Sequence, residues 1–210
     1  TLSPPSRPAS CATEPAGGLR PAEEYLFFII CCPVGAYYAE GFSPTKIYVE
    51  DRYVRSVPGG VGSAKTAGNY AASLRAQTEA HDRGYTQVLW LDAVERRYIE
   101  EVGTSNIFFV IDDELITPPL EGSILPGVTR DSVLQLARDW GWRVSERRLA
   151  IDEVIASGES GALQQSFGTG NASVISPVGE FCYRDKNIQI NCGQVGERAR
   201  RLYDELQAIQ

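Results

Sequence analysis

The chain has 210 residues, of which 43% are hydrophobic and 22% are charged, and its formal net charge at pH 7 is −7. This length and balance predict one sizeable soluble domain with its own core. The negative charge argues against nucleic acid and against an anionic membrane as partners, because a phosphate-rich surface attracts a basic one.

The chain opens on a segment with little structural signal, followed by a strong strand signal. Residues 1–18 are rich in proline, serine, alanine and glycine, which predicts loop or disorder. The apolar run "YLFFIICCPVGAYY" extends from Tyr25 to Tyr38, contains Pro33 and is too short to span a bilayer, so we predict a buried strand. No signal sequence is recognisable, and the absence of methionine predicts either a removed initiator or a longer gene.

Strands and helices alternate through the next segment. The run "KIYVEDRYVRSV" predicts a strand, a glycine-rich loop follows, and a helix is predicted from Asn69 to Arg83, ended by Gly84. The runs "TQVLWLD" and "YIEEVG" predict two further strands. The run "SNIFFVIDDELITPPL" predicts a hairpin that turns at Asp112 and Asp113.

The remaining elements complete a mixed pattern. The run "LPGVTRDSVLQLARDWGW" predicts a helix capped by Thr129 or a neighbour and stopped by Gly141. The strand "WRVSERRLAI" and the short helix "DEVIAS" follow, and the segment from "ALQQSFGTGNA" to "NIQI" predicts paired strands broken by glycine turns. The closing helix carries one apolar stripe, formed by Val195, Ala199, Leu202, Leu206 and Ile209. These elements predict an α+β fold whose sheet is not simply parallel.

Thiol and imidazole chemistry have weak candidates. The five cysteines, at positions 11, 31, 32, 182 and 192, form no metal-ligand pair and no C-x-x-C motif, so we expect reduced cytosolic thiols and no metal site. His81 is the only histidine and is predicted at an exposed helix end. A Ser-His or Cys-His triad would have to use this solvated side chain.

The glycine-rich stretch "GGVGSAKTAGNY" begins at Gly59 and admits two interpretations. As a nucleotide-binding loop it reads G-x-x-x-x-A-K-T, close to G-x-x-x-x-G-K-[ST], and Asp92 after "QVLWL" resembles an acidic residue that holds magnesium. Two facts argue against this interpretation. The preceding segment is charged and broken by Pro58, and Ala64 replaces the glycine where the backbone must approach a phosphate closely.

The second interpretation makes Lys65 a nucleophile that forms a Schiff base with an aldehyde cofactor, provided that the amine is partly desolvated. Pyridoxal phosphate would further need a carboxylate at its ring nitrogen, a partner for its ring hydroxyl and backbone N–H groups for its phosphate. The candidates are Glu101, which strand alternation places opposite Glu100, then Tyr70, and the loops "PGVTRD" and "FGTGNA". Taken singly, each candidate also fits an ordinary surface or core residue.

Five stretches together resemble the branched-chain amino-acid aminotransferases, which are fold type IV pyridoxal phosphate enzymes. They are "SPTKIYVEDRYVRSVPGGVGSAKTAGNYAASL", "QVLWLDAVERRYIEEVGTSNIFFV", "TPPLEGSILPGVTRDSVLQLA", "FGTGNASVISPVG" and "LYDELQAIQ". The resemblance covers the chain from about Glu14 onwards, and the blocks "AKTAGNY" and "EEVGTSNIFF" are its most specific parts. It implies the large domain of a fold type IV aminotransferase, with a mixed, barrel-like sheet and surrounding helices.

The resemblance also implies the cofactor site, position by position. Lys65 matches the lysine that holds pyridoxal 5′-phosphate and moves the substrate proton. Glu101 matches the carboxylate at the ring nitrogen, and Tyr70 matches the tyrosine near the ring hydroxyl. Val128 and Thr129 match the helix-start pair whose N–H groups hold the phosphate.

The implied substrate residues are Thr104, Asn171, Ala172 and Arg7. Thr104 matches a pocket threonine, and the turn at Asn171 and Ala172 matches the one that binds the substrate carboxylate through backbone N–H groups. Asn171 stands where threonine is usual, so it is also a candidate cofactor ligand through its side-chain amide. Arg7 matches an arginine that meets the side-chain carboxylate of glutamate.

The implied activity is transfer of the amino group of leucine, isoleucine or valine to 2-oxoglutarate by a cytoplasmic homodimer. Family members carry a small N-terminal domain, so residues 1–40 are interpreted as its remnant with the interdomain segment, and residues 41–210 as the large pyridoxal phosphate-binding domain. The chain is therefore expected to be N-terminally truncated and slow by itself. Two alternatives stay open: a catalytically impaired remnant, and another fold type IV activity such as D-amino acid transamination.

Overall fold

The computed structural model describes residues 6–31 and 42–209, which fall into two compact units, Thr1–Gly41 and Phe42–Gln210. The first unit contains an antiparallel hairpin of β1 (Ser6–Ala12) and β2 (Tyr25–Cys31). The expectation of loop or disorder through residue 18 is therefore wrong for β1, because backbone pairing with β2 needs no apolar side chains.

The prediction that the apolar run is a buried strand is also wrong. In β2, Tyr25 is 61% exposed and Phe27 is 64% exposed. Among the described residues β2 pairs with β1 alone, and the described part of the first unit contains no second layer to cover this pair. The remainder of the run, residues 32–38 with Cys32, lies outside the described residues.

The second unit is built on a mixed sheet. Its described strands are β3 (Thr45–Glu50), β4 (Gln87–Leu91), β5 (Ile99–Val102), β6 (Asn106–Ile111), β7 (Glu114–Thr117), β8 (Arg143–Glu146), β9 (Leu163–Gly170), β10 (Val174–Tyr183) and β11 (Lys186–Gln189). Its described helices are α1 (Ala67–Asp82), α2 (Val128–Asp139), α3 (Ile151–Ser160) and α4 (Glu197–Ile209), and a 3₁₀ turn spans Asn191–Gly193.

The strand order makes this sheet curl. The strands lie in the order β5-β4-β3-β10-β9-β6-β7-β8, and β11 pairs with β10. The pairs β3–β4, β3–β10 and β7–β8 are parallel, whereas the other described pairs of this sheet are antiparallel. The first strand of this order, β5, returns beside β6 through a tight turn closed by the Val102–Ser105 bridge. The sheet is therefore mixed and barrel-like, as predicted.

Apolar side chains cover both faces of the sheet. In β6, Ile107 and Phe109 belong to a core cluster that includes Ile151 of α3, while Phe108 belongs to a second cluster with Leu202 of α4. All six residues of β6 are buried, and those from Ile107 to Ile111 form a continuous apolar run instead of an alternating one. Burial of one face under α3 and of the other under α2 and α4 supplies the hydrophobic stabilisation of this unit.

Most predicted elements are confirmed, with shifted ends. The hairpin turns at Asp112 and Asp113, which both have positive φ, as a tight two-residue turn requires. α3 is longer than the predicted "DEVIAS". The stripe of α4 is buried at Leu202 and Leu206 but not at Ile209, which is 66% exposed because it lies in the last turn, beyond the packed part of the helix. His81 is exposed near the end of α1, as predicted.

The cysteines in the described part of the chain carry free thiols. Cys11, Cys31 and Cys192 are exposed, and Cys182 is buried. Within residues 6–31 and 42–209, no three histidine, cysteine, aspartate or glutamate side chains are grouped as metal ligands. None of the helices found there is both long and apolar enough to cross a bilayer.

Asp92 organises the loop between β4 and β5. Its Oδ2 accepts backbone hydrogen bonds from Val94 at 3.2 Å and Glu95 at 2.7 Å, and its Oδ1 accepts from Arg97 at 2.9 Å and Tyr98 at 2.7 Å. Burial raises the pKa of the Asp92 carboxyl, but the four N–H groups together outweigh burial and leave the pKa below its usual value. This carboxylate is engaged by its own loop, which argues further against a magnesium-holding role.

We predict that Asp92→Ala lowers the free energy of unfolding by about 2–4 kcal/mol, because four partly buried backbone N–H groups lose their charged acceptor. The same change at Asp139, an exposed residue at the end of α2, should cost less than about 0.5 kcal/mol. Since the folded-state pKa of Asp92 is lowered, its ionised form stabilises the fold above about pH 4, and this contribution is lost as the pH falls through the folded-state pKa. Urea unfolding at several pH values measures both effects, and equal losses at the two positions would contradict the prediction.

Candidate functional site

A cleft forms where the loop before α1 meets β5 and the segment before α2. Its lining residues are Arg55, Ala64, Lys65, Asn69, Tyr70, Ser73, Glu101, Thr104 and Leu125. Four residues that the sequence resemblance implied, Lys65, Tyr70, Glu101 and Thr104, therefore line the same cleft. They come from two segments separated by about thirty residues, and the curled sheet brings those segments together.

The loop that carries Lys65 is held from both sides. The buried side-chain amide of Asn69 donates to the carbonyl oxygens of Val61 at 2.9 Å and Ala64 at 2.8 Å. Gly62 is packed so closely that an added Cβ would overlap Ser56 Oγ and the Ser123 carbonyl oxygen. The loop conformation is therefore fixed by a capping amide and by a contact that glycine alone allows.

Lys65 itself is exposed, although it lines the cleft. Its neighbours Ala64 and Ala67 are also exposed and are too small to cover a four-carbon side chain. The positive charge of the amine nevertheless affects the buried Glu101, because it contributes to lowering the pKa of that carboxyl. The structure thus brings a lysine and a buried carboxyl together at one cleft.

Glu101 is 3% exposed and has three partners. Its Oε2 lies 2.5 Å from Arg55 Nη2, and its Oε1 accepts from the Leu125 N–H at 3.1 Å and from Asn106 Nδ2 at 3.3 Å. Burial raises the pKa of the Glu101 carboxyl to about 7, and Arg55 is the strongest of the groups that lower it. Glu101 is therefore poised between its neutral and ionised forms near neutral pH.

Glu100 is also buried, but it does not line the cleft. Its Oε1 accepts a hydrogen bond of 2.5 Å from Ser123 Oγ, while its Oε2 is buried without a hydrogen-bond partner among the described residues. Burial raises the pKa of the Glu100 carboxyl above its usual value, and the hydrogen bond from Ser123 offsets only part of this rise. The two adjacent carboxyls of β5 thus occupy different environments.

The start of α2 forms the second part of the site. Its N-cap is Gly127, and no side chain caps the helix, so the first N–H groups lack a side-chain acceptor. Val128 is 72% exposed, whereas Thr129 is 8% exposed and its Oγ1 donates to Asn171 Oδ1 at 3.1 Å. A Cβ at Gly127 would overlap Asn106 Oδ1, and Asn106 also donates to Glu101. The helix start is therefore connected to the cleft through Asn106.

Two predicted substrate residues of the second unit, Asn171 and Ala172, lie outside the described lining of the cleft. Ala172 is exposed in the turn between β9 and β10, next to Asn171, and neither residue lines the cleft. Arg7 lies in β1 of the first unit, where it is exposed and pairs across the hairpin with Ile30. The roles of all the predicted site residues, including Arg7 and Ala172, stay predictions.

Sequence reasoning missed four buried polar residues that build the site: Arg55, Asn69, Asn106 and Ser123. Arg55 stands in a charged segment, which argued against a buried strand there. Asn69 fits an ordinary helix start, and nothing in the local pattern distinguishes Asn106 or Ser123. Their partners lie up to 68 residues away in sequence, so no local pattern indicates them.

Residues 19–181 match the family described as "Amino-transferase class IV". The chain belongs to this family. It is 55% identical over 204 residues to branched-chain-amino-acid aminotransferase 2 of Bacillus subtilis (strain 168), an alignment that covers 97% of this chain and 56% of that protein. The chain therefore spans little more than half the length of this curated relative.

Two solved structures are each similar to nearly the whole chain. The branched-chain amino acid aminotransferase of Escherichia coli has a TM-score of 0.84 and 30% identity, over 97% of this chain and 64% of that one. The branched-chain amino acid aminotransferase of Thermoproteus uzoniensis, a thermophilic archaeon, was solved with norvaline and has a TM-score of 0.82 and 27% identity, over 97% and 63%. The predicted fold class and the resemblance to branched-chain aminotransferases are confirmed.

The packing of Gly62 leads to a paired prediction. Gly62→Ala should lower the free energy of unfolding by about 1–3 kcal/mol, because the new methyl group must displace the Ser56 hydroxyl or the backbone carbonyl of Ser123. Gly68→Ala should be neutral or stabilising by up to about 1 kcal/mol, because Gly68 lies in the first turn of α1 with open space around it. Thermal or urea unfolding checks the pair, and a Gly68→Ala variant less stable than Gly62→Ala would contradict this packing.

Proposed function

We propose that residues 41–210 form the cofactor-binding domain of a branched-chain amino-acid transaminase, with residues 1–40 as the remnant of a preceding domain and its connection. The proposed enzyme uses pyridoxal 5′-phosphate to transfer the amino group of leucine, isoleucine or valine to 2-oxoglutarate. The observation that carries this proposal is the meeting of Lys65 and the buried carboxyl of Glu101 in one cleft. The identity to the Bacillus subtilis enzyme supports the choice of substrate class.

The residues present fit pyridoxal phosphate. The cofactor has an aldehyde, a basic ring nitrogen and a phosphate, and these require an amine, a carboxylate and N–H donors respectively. Lys65 is an exposed amine that lines the cleft, Glu101 is a buried carboxyl that also lines it, and the start of α2 carries backbone N–H groups without a side-chain cap, together with the Thr129 hydroxyl. All three kinds of group therefore occur in one connected region.

Each residue has a proposed task. When bound, pyridoxal phosphate supplies an electrophilic carbon and a ring that withdraws electrons. Lys65 would hold the cofactor through its Nζ and then carry the substrate α-proton as the general base. Glu101 would hold the ring nitrogen, and Tyr70 the ring hydroxyl. Val128, Thr129 and the amide of Asn171 would hold the phosphate.

The protonation state of Glu101 decides whether the site works. Only an ionised carboxylate attracts a protonated ring nitrogen, and burial alone would keep this carboxyl neutral. The Arg55 guanidinium and the Lys65 ammonium both favour its ionised form. At the pKa of about 7, a further positive charge, such as a protonated ring, would shift Glu101 towards the carboxylate.

Substrate contacts, assembly and location complete the proposal. Thr104 lines the cleft and is assigned to the substrate pocket, Asn171 and Ala172 to the substrate carboxylate, and Arg7 to the side-chain carboxylate of glutamate. We further propose a cytoplasmic homodimer that acts on amino acids and 2-oxo acids. The two alternatives, an impaired remnant and D-amino acid transamination, are not favoured, since the similar Bacillus subtilis proteins are named branched-chain aminotransferases.

The assignment of Lys65 can be tested by chemical trapping. The chain has three lysines, Lys46, Lys65 and Lys186. Borohydride reduction in the presence of pyridoxal phosphate should fix the cofactor to the Lys65 peptide, as read by mass spectrometry. Lys65→Ala should abolish this label and transamination while the protein stays folded, whereas Lys186→Ala should change neither. Labelling that persists in Lys65→Ala would refute the assignment.

The choice between the two carboxyls of β5 gives a second test. Glu101→Gln should lower the rate of glutamate formation from leucine and 2-oxoglutarate at least about 100-fold, roughly 3 kcal/mol in the barrier. Glu100→Gln is the matched control and should lower the rate less than about fivefold. A silent Glu101→Gln combined with a large loss in Glu100→Gln would show that the other face of β5 carries the chemistry.

A further inference from the structure

A buried arginine that lines the cleft is not used by the proposed chemistry. Arg55 follows β3 and is 9% exposed. Its Nη2 donates to the Ser123 carbonyl oxygen at 2.8 Å and to the Gly62 carbonyl oxygen at 3.3 Å, and it lies 2.5 Å from Glu101 Oε2. Its Nε is buried without a hydrogen-bond partner among the described residues.

These contacts place Arg55 at the junction of three segments. Gly62 belongs to the loop that carries Lys65, Glu101 belongs to β5, and Ser123 precedes α2. The side chains of the ion pair are 7% and 4% exposed, so solvent screens their interaction weakly. Removal of either partner leaves a buried charge without compensation, which is strongly unfavourable.

Among the described residues, Arg55 is the only one that forms an ion pair with the Glu101 carboxyl. Its other hydrogen-bond donors are the neutral groups of Leu125 and Asn106. The remaining nearby charges are Lys65, which is exposed and favours the carboxylate, and Glu100, the adjacent carboxyl, which opposes it. A guanidinium is suited to this position because it stays protonated even when buried, unlike an ammonium.

We propose that Arg55 is a positioning residue of the site, which holds Glu101 as an oriented carboxylate and so keeps it ready for a protonated ring nitrogen. This proposal rests on the proposed function for the meaning of that carboxylate. The electrostatic relation between Arg55 and Glu101 is a property of the cofactor-free chain and can be measured without any turnover.

The test is the pH dependence of unfolding of the cofactor-free chain. When the folded-state pKa of a carboxyl is raised, there is a pH interval in which the folded protein still binds the proton but the unfolded protein has lost it. This interval lies between the unfolded-state pKa and the folded-state pKa. The free energy of unfolding falls as the pH rises through it. Arg55→Met should raise the pKa of Glu101 further and extend this fall to higher pH. Relative to wild type, its folding equilibrium constant should therefore drop at least about tenfold more at about pH 9.5 than at about pH 5, the equivalent of one pKa unit.

Two background variants show which carboxyl is responsible. In Glu101→Gln, the additional effect of Arg55→Met should differ less than about twofold between the two pH values. In Glu100→Gln, the difference of about tenfold should persist. Persistence in Glu101→Gln together with loss in Glu100→Gln would overturn the proposal and assign Arg55 to Glu100. An Arg55→Met effect that is equal at both pH values would also overturn it.

A further substitution at Arg55 separates charge from packing. Arg55→Gln is a second neutral variant with a different shape, so it should show the same difference of about tenfold between the two pH values as Arg55→Met, and a flat profile would contradict the proposal. If neither neutral variant folds even at about pH 5, where Glu101 is protonated, the pairing with Glu101 is not the role of Arg55 and the proposal is wrong.

Failure of the proposed function would be observed separately. Wild-type chain that takes up no pyridoxal phosphate in an absorbance titration would refute the cofactor role, while the pH profile would still report the Arg55–Glu101 pair. Conversely, normal cofactor uptake with a flat Arg55→Met profile would refute the positioning role alone.

Discussion

The buried carboxyl of Glu101 is the constraint on which the arrangement of the site depends. A carboxylate that is 3% exposed must be compensated by charge and hydrogen bonds, and the compensation comes from Arg55, Asn106 and the Leu125 N–H. These partners belong to three different segments of the chain. Satisfying one side chain therefore fixes the loop with Lys65, the turn after β5 and the segment before α2 relative to one another.

The curled sheet makes this convergence possible, because it places the ends of distant segments side by side. β5 begins the strand order and returns beside β6 through the turn at Gly103, and β9 pairs with β6 along its length. The turn between β9 and β10 then brings Asn171 to the start of α2, where it accepts from Thr129. A rigid core, covered on both faces, thus carries loops whose polar groups are already in place.

Many features of this protein were predictable from local patterns, and those that were not involve long-range contacts. The turn at Asp112 and Asp113 was predicted because two adjacent turn residues separated two apolar runs. The exposure of β2 was not, because its apolar composition is the same whether or not another layer covers it. Ile209 continued the stripe of α4 by periodicity, yet the packed surface ends one turn earlier. Periodicity identifies a face of an element but not the extent of what packs against it.

The sequence by itself determined the element types, the mixed α+β class, the family, and the candidate status of Lys65, Tyr70 and Glu101, since these follow from local composition and from motifs that are contiguous in the chain. Only the tertiary structure decided that Arg55 is a buried partner, that Glu101 lines the cleft while Glu100 contacts Ser123, and that Lys65 is exposed. The physical reason is that burial and ion pairing depend on what other segments supply. The partner atoms of Arg55 lie 7, 46 and 68 residues further along the chain, at Gly62, Glu101 and Ser123, and folding alone brings them within hydrogen-bonding distance.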